Sequence, residues 1–194
     1  EGTNLLILER STASLTGAKG SYILEGIFGE IGVKNKNNRI YDEEEILPHI
    51  KELAAKAEQG VLLGELDHPQ KFDISLKNVS HRITEVRYDS DKKQVIGKIE
   101  VLDTTAGKEA KALIDAGIPI HISSRAAGVV EGNGHVKIKK MFTYDLVADP
   151  GFENAQLERV NESFGFANDS NIGIFQVNET IEDDKYSNDE NKEN

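Results

Sequence analysis

The sequence predicts an α+β fold: a barrel-like, mostly antiparallel β-sheet flanked by a few helices. Two hairpin signals with long runs between them predict the antiparallel sheet. Asp89-Ser90-Asp91-Lys92-Lys93 separates the strand-like stretches Val79–Tyr88 and Gln94–Leu102, and Glu131-Gly132-Asn133-Gly134 separates Val129-Val130 from Val136-Lys137-Ile138. The third observation is the small number of helical patterns, too few for regular βαβ alternation.

In chain order, Tyr22 to Phe28 alternates on towards Glu30 and is expected to form a strand buried mostly on both sides; Asn35–Asn38 follows as a loop. From Glu43 to Gln59, Ile46, Leu47, Ile50, Leu53, Ala54 and Ala57 recur at helical spacing. Glu43, Glu44 and Glu45 suit the positive end of the helix dipole, Gly60 stops the helix, and Pro48 argues for a start near Glu45. A second helix begins at Thr104 or Thr105, turns Ala110, Leu113 and Ile114 inward and ends at Gly117. Ile118 to Ser123 reads as a short strand entering a Ser-Ser-Arg turn, and the last strand runs through Phe142, Tyr144, Leu146 and Val147 to Asp149-Pro150-Gly151.

Length and composition suit one domain, 1–177, followed by an acidic tail, 178–194, too poor in apolar residues to offset its ordering entropy. The absence of cysteine removes disulfides, a thiol nucleophile and thiolate zinc sites. A net charge of −11 speaks against nucleic acid as a partner, which requires a basic face; Lys137, Lys139 and Lys140 do not supply one. No apolar run approaches the length of a membrane span and no signal-peptide pattern is present, so no membrane partner is expected. Glu1 stands where an initiator Met would, as in a processed or trimmed chain.

Three polar segments interrupt apolar surroundings. Gly64-Glu65-Leu66-Asp67-His68-Pro69 fixes an imidazole just before a proline, in extended geometry. His121-Ile122-Ser123-Ser124-Arg125 offers two hydroxyls beside a guanidinium, followed by Ala126, Ala127 and Gly128, small residues that suit backbone amides facing an oxyanion. Tyr144-Asp145-Leu146-Val147 adds a carboxylate. Together they hold a hydroxyl, an imidazole and an acid, the parts a serine nucleophile needs. Taken singly, the first reads better as a turn with a surface His and the second as a polar strand end, while Asp145 is either an exposed-face residue or an orienter. A metal-dependent hydrolase built on Glu65, Asp67, His68 and His81 is one alternative, but nothing pairs these residues at metal-ligand spacing on a helix.

The order and rough spacing of several segments resemble the prohead core proteases of T-even-type bacteriophages, whose fold is related to the herpesvirus maturation proteases. The matching pieces are Tyr22–Phe28, Asn35–Tyr41, Gly64–Pro69, Ala116–Pro119, Ile122–Arg125 and Asp145–Val147. The resemblance implies a serine endopeptidase with Ser123 as nucleophile and His68 as base. Asp145, reached by counting on from the serine where the herpesvirus relatives carry a second His, is the third member; Ser124 and Arg125 lie on the oxyanion side. It implies no cofactor or metal. Phage scaffold, core and capsid proteins, and the enzyme itself, are the implied substrates, cut inside the prohead in the host cytoplasm by a chain that is a candidate homo-oligomer. Such enzymes favour a Glu before the scissile bond, so Ile7-Leu8-Glu9 and Ile83-Thr84-Glu85 are candidate self-cleavage sites. A protease fold that has lost activity and serves as a scaffold or capsid-assembly protein is the other alternative.

Overall fold

The structure, a computed structural model, describes residues 5–18, 22–67, 69, 71–148 and 174–176. His68 and the acidic tail 178–194 lie outside the described residues. The strands are β1 (Leu5–Ser14), β2 (Thr16–Ala18), β3 (Ile23–Glu30), β4 (Leu63–Glu65), β5 (Val79–Asp89), β6 (Gln94–Val101), β7 (Ile120–Val130), β8 (Val136–Ala148) and β9 (Ile174–Gln176). Helix α1 (Glu43–Glu58) precedes β4 and helix α2 (Thr105–Asp115) precedes β7.

All the paired strands run antiparallel and form two sheets, ordered β8-β7-β1-β9 and β2-β3-β6-β5-β4. The barrel-like expectation is met in part. The sheets are not closed into a barrel; a bridge between Leu66 and Leu146 joins the β4 edge of one to the β8 edge of the other. Near the opposite side the Leu15 N–H donates to Ile120 O (2.9 Å).

The main core lies between the sheets, where Ile7, Ile122, Ala126, Tyr144 and Leu146 meet Leu24, Phe28, Ile83, Val95 and Ile99. Helix α1 closes it with Ile46, Ile50, Leu53 and Ala57, packed against β5 and β8. The opposite face of the first sheet carries a smaller apolar cluster of Leu6 and Leu8 under Phe72.

Several local expectations change. Strand β3 buries only the Leu24 and Phe28 side, because its other face is covered incompletely. Helix α1 starts at Glu43, so Pro48 lies inside it rather than in its first turn; Asp42 O accepts the Ile46 N–H (3.0 Å), and Gly60 ends the helix at φ 74°. In α2 the Thr104 hydroxyl caps the Gly107 N–H (3.0 Å), but Leu113 points to solvent while Ala106, Gly107 and Ala110 face inward. The largest revision concerns Ser123-Ser124-Arg125. They do not form a turn; they occupy the interior of the eleven-residue strand β7.

Candidate active site

Strand β7 lies between β1 and β8, and alternation along it decides which side chains share a surface. Ser123 pairs with Arg10 on one side and Asp145 on the other; Arg125 pairs with Leu8 and Thr143. His121, Ser123 and Arg125 therefore share the face away from the main core, beneath the segment that carries Phe72. Ser124 pairs with Glu9 and Tyr144 and points to the opposite face. The two adjacent hydroxyls cannot act on one substrate atom.

Ser123 is 1% exposed, and its Oγ has no hydrogen-bond partner among the described residues. A buried hydroxyl without a partner costs about 1–3 kcal/mol. Beside it stands a buried ionic cluster. The Arg125 Nε donates to Asp145 Oδ2 (2.9 Å) and Nη2 to Asp145 Oδ1 (2.6 Å) and Glu65 Oε2 (2.7 Å). Its Nη1 donates to the carbonyls of Phe72 (3.0 Å) and Asp73 (2.9 Å). Asp145 Oδ1 also accepts the Glu65 N–H (3.0 Å). Burial pushes the Asp145 carboxyl upward against the opposing pull of Arg125, while burial and the two carboxylates leave the Arg125 guanidinium raised on balance.

The segment leading to position 68 is stitched to β8. Thr143 Oγ1 donates to Leu63 O (2.6 Å), and the Asp67 N–H donates to Leu146 O (2.7 Å). Leu146 pairs with Ile122, the residue before Ser123. Asp67 has φ 73°, a left-handed conformation that Asp tolerates better than most residues. Gly64 is required by contact: a Cβ there would lie 2.2 Å from His81 Nε2 and from Tyr144 O.

A family model described as "Prohead core protein serine protease" matches residues 5–150, from the first described strand to just past β8. The chain belongs to this family. The solved structure of the bacteriophage T4 capsid assembly protease, gp21, has the same fold: the TM-score is 0.66 at 20% identity, covering 76% of this chain and 100% of that one. No curated protein matches the chain significantly in sequence.

A prohead core serine protease needs one activated hydroxyl, and the structure separates the candidates. Ser123 is the hydroxyl on the face of the ionic cluster; Ser124 is on the other. Arg125 was expected on the oxyanion side, yet all five of its N–H donors are spent on Asp145, Glu65 and the Phe72 and Asp73 carbonyls. Ala126, Ala127 and Gly128 lie in ladders with β1 and β8, so these residues do not form the open amide nest expected of them. Gly128 answers to packing, since a Cβ there would lie 2.2 Å from Lys137 O.

Two residues of the metal alternative, Glu65 and His81, are otherwise engaged. Glu65 is held by Arg125, and His81 is buried with Nε2 donating to Tyr144 O (2.9 Å) and Nδ1 accepting from Ser80 Oγ (2.8 Å). Burial lowers the His81 pKa to about 4, so the ring is neutral. The two candidate self-cleavage sites lie in paired strands. Ile7, Leu8 and Glu9 are buried in β1, and Ile83 to Glu85 are in β5 against β6. A protease cleft needs an extended, accessible peptide, so neither site is cut while its sheet is intact.

Sequence reasoning did not single out His121, which stands two residues before Ser123 on the same face, with Nδ1 3.1 Å from Ser11 O. It also did not foresee the tie between Glu65 and Arg125. The strict alternation of His121, Ser123 and Arg125 was the available signal once the segment is recognised as a strand.

Proposed function

We propose that this protease cuts phage capsid and core proteins inside the prohead, with Ser123 as nucleophile, His68 as base and Asp145 as the third member. The observation that carries the assignment is the Ser123 hydroxyl, buried and unpartnered among the described residues, directly opposite Asp145 in a serine-protease family. The Asp67–Leu146 bond beside Ile122 supports His68 as the base, because it fastens the residue before His68 to the strand pair that carries the nucleophile. A carboxylate offers about four acceptor sites. Among the described residues three are taken on Asp145, and the one left on Oδ2 suits an imidazole N–H.

In the reaction, Ser123 Oγ attacks the peptide carbonyl carbon as His68 takes the hydroxyl proton. The C–N bond then breaks, and His68 returns that proton to the leaving amine. Water attacks the acyl-enzyme with the same base and releases Ser123. The Asp145 carboxylate, when ionised, favours the imidazolium that forms in each step. Oxyanion donors come from outside the Arg125 side chain.

Co-expression with the phage's own core and capsid proteins tests this. Ser123→Ala abolishes cleavage, and a fluorophosphonate probe labels the native chain at Ser123 only. Full cleavage by Ser123→Ala, with loss in Ser124→Ala, would assign the nucleophile to the wrong serine.

A further inference from the structure

The Arg125 guanidinium touches chain on both sides of position 68. Glu65, three residues before it, receives one N–H; the carbonyls of Phe72 and Asp73, four and five residues after it, receive two more. The remaining two go to Asp145 on β8. Arg125 itself is two residues from Ser123 on the same face of β7.

We propose that Arg125 is a positioning residue: it fastens both ends of the segment Glu65–Asp73, which carries His68, to the strand that carries Ser123. This rests on the assignment of Ser123 and His68 made above. The near end of the segment has other anchors in the Glu65 N–H to Asp145 bond and the Asp67 N–H to Leu146 bond. The far end has the stacking of Phe72 on Phe142, with ring centroids 5.2 Å apart, which resists lateral sliding far less than directed hydrogen bonds do. Arg125 therefore supplies directional restraint at the far end and couples it to the near end.

The residue type fits the task. A planar guanidinium presents five donors in a fixed fork, so one side chain meets two carboxylates and two carbonyls at set angles. A lysine ammonium at the same place has three donors around a point and cannot hold all of them. The role differs from oxyanion stabilisation, for which no Arg125 donor remains. It also differs from plain core stability, because it acts on the distance between two reacting groups. Misplacement by about 1 Å costs on the order of 10²-fold in rate.

The test measures kcat and KM of the full chain on a peptide substrate, with the rate of fluorophosphonate labelling, for Arg125→Lys, Glu65→Ala and Glu65→Gln. The proposal expects Arg125→Lys to lower kcat by about 10²-fold with KM nearly constant, and to slow labelling of Ser123 in parallel. Glu65→Ala loses kcat, and Glu65→Gln, which keeps an acceptor oxygen for Nη2, recovers most of it. A folded Arg125→Lys with native kcat, or one in which KM alone rises, overturns the proposal. Should Arg125→Lys fail to fold, the Glu65 pair decides: equal activity of Ala and Gln variants overturns it. Cleavage surviving Ser123→Ala or His68→Ala would instead break the underlying assignment, so the two failures are distinguishable.

Discussion

Ser123 and Asp145 stand directly opposite each other across the β7–β8 ladder, yet the Asp145 carboxylate is turned to Arg125 and to the Glu65 amide. Cross-strand pairing brings the proposed nucleophile and the proposed acid together, and the Arg125 guanidinium holds that carboxylate through two bonds.

The first prediction concerns Asp145→Asn. The amide keeps the shape, removes the charge and presents an NH₂ to donors that need an acceptor. Removing one partner of a buried ion pair costs about 3–5 kcal/mol. Urea unfolding in a Ser123→Ala background, which prevents self-digestion, is expected to show a loss of that order. Cleavage by Asp145→Asn at a temperature where it remains folded is expected to fall by about 10³-fold or more, as for a triad acid. A stability loss with native turnover would reduce Asp145 to a structural ligand of Arg125.

Ser123→Ala should have the opposite signature. The hydroxyl is buried without a partner among the described residues, so removing it relieves a desolvation cost instead of breaking a bond. Stability is expected to hold or to rise by about 1 kcal/mol while activity disappears. Ser124→Ala, on the other face of β7, is expected to keep proteolysis. Denaturant midpoints with and without Ser123→Ala, both in a His68→Ala background that prevents self-digestion, check the first part.

Much of the fold was legible in the sequence because hairpins and helices are local. The Asn133-Gly134 turn and the polar Asp89–Lys93 connection marked both hairpins, and Thr104 and Gly60 marked helix ends. The Ser-Ser-Arg segment was misread because two polar residues and an arginine normally signal a turn, whereas here Arg125 is neutralised by carboxylates from two other strands. That compensation is long-range and leaves no local trace. Position 64 shows the same limit. A glycine before a polar run looks like flexibility, but it answers to a close approach by Tyr144, eighty residues away in the chain.

Gly64→Ala follows from that approach. The methyl group would overlap the His81 ring and the Tyr144 carbonyl, and these two are bonded to each other at 2.9 Å. Neither is the free end of a flexible chain, so β4 must shift. A destabilisation of about 3 kcal/mol is expected, at the upper end for overpacking, together with weaker activity because β4 leads directly to His68. Thermal unfolding and cleavage of Gly64→Ala measure both; an unchanged midpoint would mean that β4 has room to move.

His81 gives the last prediction, in acid. Its folded pKa is lowered from 6.5 to about 4, chiefly by burial. Between those values the unfolded chain takes up a proton at His81 and the folded chain does not. Stability from this group is therefore complete above pH 6.5 and falls as the pH drops towards 4, by about 3 kcal/mol in all. Buried Glu9 and Asp145, whose pKa values are raised by burial, act with the opposite sign: their contribution is present at low pH and lost as pH rises. The comparison that isolates His81 is native-sequence protein against His81→Gln, both in the Ser123→Ala background, unfolded in urea at several pH values from 7 to 4. The His81 protein should lose stability relative to the Gln variant steadily across this window. Parallel curves would mean that the ring protonates as readily in the folded chain as in the unfolded one, and that burial does not hold it in the neutral form.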